Sequence, residues 1–126
     1  KSMGHYLDEQ YGEAYFAIGT DFTESKFQSK NGSGERKTYK VKNNNDLTDA
    51  FSKVESNIFY VDFEKAEESE VLKDIISKEQ KMANIGDDFR YWYKFLKMFY
   101  TIEMTPNEAY DGVIIVKEAT PTSVNE

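Results

Sequence analysis

Apolar and polar positions alternate along this chain with two different periods. Met3, Tyr6, Leu7 and Tyr11 recur at helical spacing, Asp8 and Glu9 fall on the other side, and Gly12 stands where such a helix would stop. The run "AYFAI" from Ala14 to Ile18, ended by Gly19, predicts a strand buried on both faces. A hairpin follows, with one arm from Lys26 to Lys30, the turn "NGSG" at 31–34 and the arm "KTYKVK" at 37–42. In that second arm Tyr39 and Val41 alternate with Thr38, Lys40 and Lys42, so one face is core and the other is wet and positive.

The remaining elements carry similar signatures. Leu47, Ala50, Phe51 and Val54 form a helical stripe, with Asp46 placed to cap it and Asp49 in its first turn. "NIFYVDF" at 57–63 reads as a buried strand, and "EESEVLKDIISKEQ" at 67–80 as a helix through Val71, Leu72, Ile75 and Ile76. "FRYWYKFLKMFY" at 89–100 holds seven of the 19 aromatic residues and fits strand and helix equally. After a turn at Thr105 and Pro106, Gly112 to Lys117 predicts a central strand built on Val113, Ile114, Ile115 and Val116. Strand and helix alternate, which favours parallel pairing. The expected fold is a three-layer α/β domain with a mostly parallel sheet, flanking helices and one β-hairpin excursion at 26–42, forming part of a larger sheet. The polar tail at 121–126 is expected to fray.

Composition narrows the function classes. The 126 residues are enough for one core, and no apolar run reaches the roughly 20 residues of a membrane helix. The chain therefore reads as soluble; no targeting segment is visible, and a cytoplasmic setting is favoured. Residues 26–42 hold six basic side chains and Glu35, a balance of 6 − 1 = +5, so the rest carries −12 of the total −7. That remainder repels a phosphate backbone and weighs against nucleic acid, although Tyr39 and the aromatic run could stack bases. With no cysteine, disulfides and thiolate chemistry are excluded.

Candidate chemistry is sparse. His5, the lone histidine, has Asp8 and Glu9 three and four residues on, an arrangement open to a general base and equally to an ordinary polar helix face. "NGSGE" lacks the setting of a nucleophile elbow, and "GSGERK" lacks phosphate-loop spacing. No metal or cofactor is expected. Ligands of open parallel sheets sit beyond the carboxyl ends of strands, which makes Thr20, Asp21 and Asp62 the candidates for a cleft.

The stretch "MGHYLDEQYGEAYFAIGTDFTESKF" resembles a segment of the erythromycin esterase family, through Met3, Gly4, Tyr11, Gly12, Ile18, Gly19, Phe22 and Phe27. "MTPNEAYDGVIIVKEATPT" is similar to that family's ending, through Pro106, Tyr110, Asp111, the apolar strand, Thr120 and Pro121. The resemblance implies a bacterial hydrolase of roughly three or more times this length, of the kind that opens macrolide lactones or is associated with succinoglycan biosynthesis. It also implies that the proposed catalytic histidines and glutamates lie upstream of the Met-Gly helix, one group in a His-Asn-x-His segment, with no counterpart here. On that basis residues 1–126 read as a single α/β domain or C-terminal fragment, inactive alone. The expected partners are the remaining N-terminal part, a small-molecule ester in the intact protein and further copies of the chain. A stand-alone binding module using residues 26–42 or 89–100 is the other reading.

Overall fold

The computed structural model describes residues 3–86 and 88–123. Helix α1 spans Met3–Tyr11 as its spacing predicts. Gly12 follows it at φ 49°, in the left-handed region that a side chain disfavours. Ser2, the one residue suited to cap α1, lies outside the described residues, as do 124–126 of the tail; Pro121–Ser123 have no regular structure.

Strand β1 is longer than its apolar run suggests and starts later. It covers Ile18–Lys30, whereas Ala14 lies in a short 3-10 turn, and Gly19 sits inside the strand and does not end it. Its second half pairs with β2 (Arg36–Lys42) across the 31–34 turn, so the hairpin is an extension of the same strand. Tyr39 and Val41 are buried and the lysines exposed.

The sheet order is β2-β1-β6-β3, with β3 at Ile58–Asp62 and β6 at Gly112–Ala119. Only β1–β6 is parallel, while β1–β2 and β3–β6 are antiparallel, which corrects the mostly parallel expectation to a mixed sheet. The geometry explains why. Strands β2 and β3, joined through α2 (Asp46–Ala50), do run parallel to each other, but at opposite edges with β1 and β6 between them. Strand β6 is internal, as its composition predicts.

Asn45, and not Asp46, caps α2: its side chain accepts the Thr48 N–H at 2.8 Å, while Thr48 Oγ1 accepts the Asn45 N–H at 3.1 Å. The expected helix at 67–80 is shorter. Asp62 caps α3 (Phe63–Ala66), Ser69 caps α4 (Glu70–Ile76), and Val71 points outward, 68% exposed. Gln80 belongs to β4 (Gln80–Ala83), which pairs with β5 (Thr101–Met104) in a small antiparallel sheet. Its side-chain amide donates to the Ile75 carbonyl at 2.6 Å and accepts the Leu47 N–H at 3.2 Å, closing one helix and opening another. The 89–100 run is neither strand nor helix: it forms two 3-10 turns, Tyr91–Phe95 and Lys97–Phe99. A last short helix, α5, covers Pro106–Ala109.

One face of the sheet is covered. Val61, Val113 and Ile115 pack against Leu47, Phe63, Ala66, Ile76 and Met82, drawn from α2, α3, α4 and β4. Each fully buried aliphatic side chain here contributes about 1.5–3 kcal/mol. A second cluster, Tyr39, Val41, Phe89 and Tyr100, covers the hairpin, with Phe89 edge-on to Phe27 at 5.0 Å.

Candidate functional site

Of the expected site residues, Thr20 and Asp21 line one depression of ≈240 Å³ with Phe22, Ala83, Ile85 and Val116, and Asp62 does not join them. Thr20 and Asp21 lie within β1 and not beyond its end, because the strand runs through Gly19; they project to opposite faces of the sheet, Thr20 exposed and Asp21 buried. Asp62 ends β3, where its Oδ1 accepts the Lys65 N–H at 3.0 Å as the cap of α3.

Asp21 is the centre of a buried polar knot. Its Oδ1 accepts from the Phe22 N–H (2.8 Å), Asn43 Nδ2 (3.1 Å) and the Ala83 N–H (3.2 Å), and its Oδ2 from Asn45 Nδ2 (2.8 Å). Both asparagines also donate to the Lys81 carbonyl, at 3.0 Å each. The knot joins β1, the segment leading into α2, and β4. Burial pushes the Asp21 carboxyl above its ordinary value, and the four donors oppose that shift only in part. The strand-end rule does not point to Asn43 and Asn45, which reach Asp21 only through the folded chain. The available signal was an aspartate among apolar residues in one strand together with the "NNN" run at 43–45.

Four of the family-like residues, Ile18, Gly19, Tyr110 and Asp111, meet at the amino ends of the parallel pair. Asp111 Oδ2 accepts the Ala17 N–H at 2.7 Å, its own N–H donates to the Ala17 carbonyl at 2.8 Å, and its carbonyl accepts the Phe63 N–H at 3.0 Å. One residue thus holds the starts of β1, β6 and α3 together. Gly19 lies under the Tyr110 ring, where a Cβ would come within 2.7 Å of two ring carbons. Met3 and Gly4 are in α1, Phe22 is half-buried, and Phe27 belongs to the aromatic cluster. His5 Nε2 lies 3.1 Å from Glu9 Oε1, with both side chains well exposed on α1.

At the other end, where β1 and β6 finish their parallel pairing, a cleft of ≈390 Å³ opens, lined by Thr23, Glu24, Lys42, Asn44, Glu55, Asn57, Lys117 and Glu118. Glu24 is held below its ordinary value, first by a hydrogen bond from Lys40 (2.6 Å) and then by the charges of Lys40 and Lys42. Asn57 fixes the rim, accepting the Glu118 N–H at 2.9 Å and donating to its carbonyl at 3.1 Å. Lys117 Nζ donates to the Val54 carbonyl at 2.6 Å. These charged and amide groups can bind and orient a polar ligand. Among the described residues no group of three or more His, Cys, Asp or Glu converges as a metal site, and no helix is long and apolar enough to cross a membrane.

The fold recurs in solved structures. A Bacillus cereus protein aligns over 100% of this chain with a TM-score of 0.79 and 24% identity, and the chain covers 30% of that protein. A succinoglycan biosynthesis protein aligns over 99% at TM-score 0.78 and 16% identity, with 29% of its length covered. At these identities the likeness concerns fold alone. The chain spans about three-tenths of the length of both. No curated protein matches by sequence. The sequence pattern of the family described as erythromycin esterase matches residues 1–119, a span that takes in the α1 helix, the Gly19–Tyr110 contact, the Asp111 clamp and the parallel pair. The chain belongs to the erythromycin esterase family.

Proposed function

We propose that this chain is the C-terminal α/β part of an ester- or lactone-hydrolysing protein, in which the groups that activate water stand on polypeptide outside these residues. Family membership over residues 1–119 supports this reading, together with a parallel strand pair whose carboxyl ends open into a charged cleft. In it, Glu24, Asn57 and Lys117 form one wall that orients a small ester. Asp21 holds β1 and β4 in place beneath that wall, Thr20 precedes it along β1, and Asp62, paired with Gly112, stands at the opposite end of the sheet as the cap of α3. His5 is a polar residue of α1 with no part in the chemistry.

The test is turnover of short-chain p-nitrophenyl esters and a macrolide lactone by residues 1–126 and by the product of the whole reading frame that contains them. The chain alone is expected to give no turnover and the whole product to hydrolyse at least one ester. Turnover by residues 1–126 that is lost with His5→Ala contradicts the proposal.

The exposed rings of Tyr91, Trp92 and Phe95, at 67, 49 and 68%, favour one other reading, a binding module. Heparin retention that falls steeply with salt and with Lys26→Ala/Lys40→Ala would favour it.

A further inference from the structure

Three neighbouring strands present apolar side chains to solvent on the face opposite the core. The registers align Ile18 with Gly112, Thr20 with Ile114, Tyr60 with Ile114 and Ile58 with Val116, so all of these share one face. On it Ile18 is 50% exposed, Ile58 59% and Tyr60 44%, although β6 is an internal strand. Helices α2, α3 and α4 all contribute to the other face. In α/β folds the faces of parallel strands are covered on both sides, because a bare apolar strand face costs the hydrophobic term that holds the layer together.

Helix α1 has the same deficit. None of its nine residues is buried, and Met3 and Tyr11 are 78% and 53% exposed on its apolar side. A helix of that length is marginal without tertiary packing.

We propose that this open face and α1 together form the seat for the additional polypeptide that chains of this family carry. The two solved structures of the same fold are more than three times longer than this chain, which covers only 30% and 29% of them. Six of the face's side chains (Ile18, Thr20, Ile58, Tyr60, Ile114 and Val116) are uncharged, which suits the apolar side of packed helices and not a polyanion. The proposal rests on the chain being one part of a longer hydrolase.

Hydrogen exchange of residues 1–126 and of the whole reading-frame product, with light scattering for mass, tests it. Residues 1–126 are expected to be monomeric, with α1 amides exchanging close to unfolded rates, and those amides are expected to slow at least ~10-fold in the whole product. Ile58→Lys/Tyr60→Lys is expected to lower the melting temperature of the whole product by more than ~5 °C, while Ile102→Lys, at an exposed site on β5, lowers it by less than ~2 °C. A dimer of residues 1–126 with α1 protected overturns the proposal in favour of a second copy. So does a whole product in which α1 stays unprotected, or a reading frame that adds nothing to these residues. Ester turnover by a whole product with α1 unprotected would remove the docking seat and leave the hydrolase reading standing; protection without turnover would do the reverse.

Discussion

Two tyrosines lie over two glycines at the start of the parallel pair, one on each face of the sheet, and they sit in different surroundings. Tyr110 covers Gly19 on the face built on Val113 and Ile115, half-buried and packed against the main core. Tyr60 covers Gly112 on the open face and remains 44% exposed. Burial and two nearby carboxylates, Asp62 and Asp111, raise the Tyr60 phenol above its ordinary value. The same local device, a ring laid on a strand where no Cβ intervenes, is thus locked on one side and loose on the other. One face supplies the stability of these residues, and the other is built for contact.

Substitutions can break that contrast. The largest effect is expected at Ile115, fully buried between the helices and β1: Ile115→Ala should cost about 2–5 kcal/mol in urea unfolding. Next is Asp21→Asn, whose single oxygen can still accept from Phe22, Asn43 and Ala83 but whose NH2 group then faces the Asn45 donor, and which should cost about 1–3 kcal/mol. The native Asp21 carboxyl also holds its proton to higher pH than in the unfolded chain. Its contribution to stability is therefore fullest below the ordinary carboxylate value and declines as pH rises through the raised native one. Titration of its carboxyl carbon by NMR should show a midpoint above the usual carboxylate range; a midpoint at or below that range contradicts the burial argument.

Gly19→Ala should follow at about 1–3 kcal/mol, since the Tyr110 ring is pinned by the core close to its own backbone. Gly112→Ala, although tighter on paper, meets the far end of a half-exposed side chain that can swing outward, and should cost less than Gly19→Ala in the same unfolding series. The smallest change is expected for His5→Ala, which removes an exposed pair with Glu9 and an edge contact with the Tyr6 ring on the surface of α1 and should shift the melting curve very little.

Much of this architecture could be read from the residues. The hairpin announces itself through "NGSG" and the alternation of Tyr39 and Val41 with lysines, because a half-buried antiparallel arm has a period of two. Strand β6 is legible as an unbroken apolar run. What misled was context. Gly19 looks like a strand end, yet it serves the close approach of Tyr110, a contact 91 residues away in sequence (110 − 19). Strand β4 follows α4 so closely that Gln80 passes for the helix's last turn, when its side chain is the stop. The 89–100 run has no period because 3-10 turns send Phe89, Tyr93 and Phe99 inward and Tyr91, Phe95 and Met98 outward. Of the site, the strand-end rule led to Asp21 and Asp62 but not to Asn43 or Asn45, whose role depends on β4 arriving beside β1.

A lysine scan along β3 tests the difference between the two faces most directly, because its neighbouring residues point alternately to each. Ile58, Phe59, Tyr60 and Val61 would be replaced one at a time in residues 1–126 and followed by urea unfolding. Val61→Lys is expected to abolish or severely weaken folding, since it places an unpaired charge in the core, and Phe59→Lys, at a half-buried position packed against that core, to cost at least about 1–3 kcal/mol, while Ile58→Lys and Tyr60→Lys change stability by less than about 1 kcal/mol. Equal losses at all four positions, or larger losses at Ile58 and Tyr60, would contradict an open face.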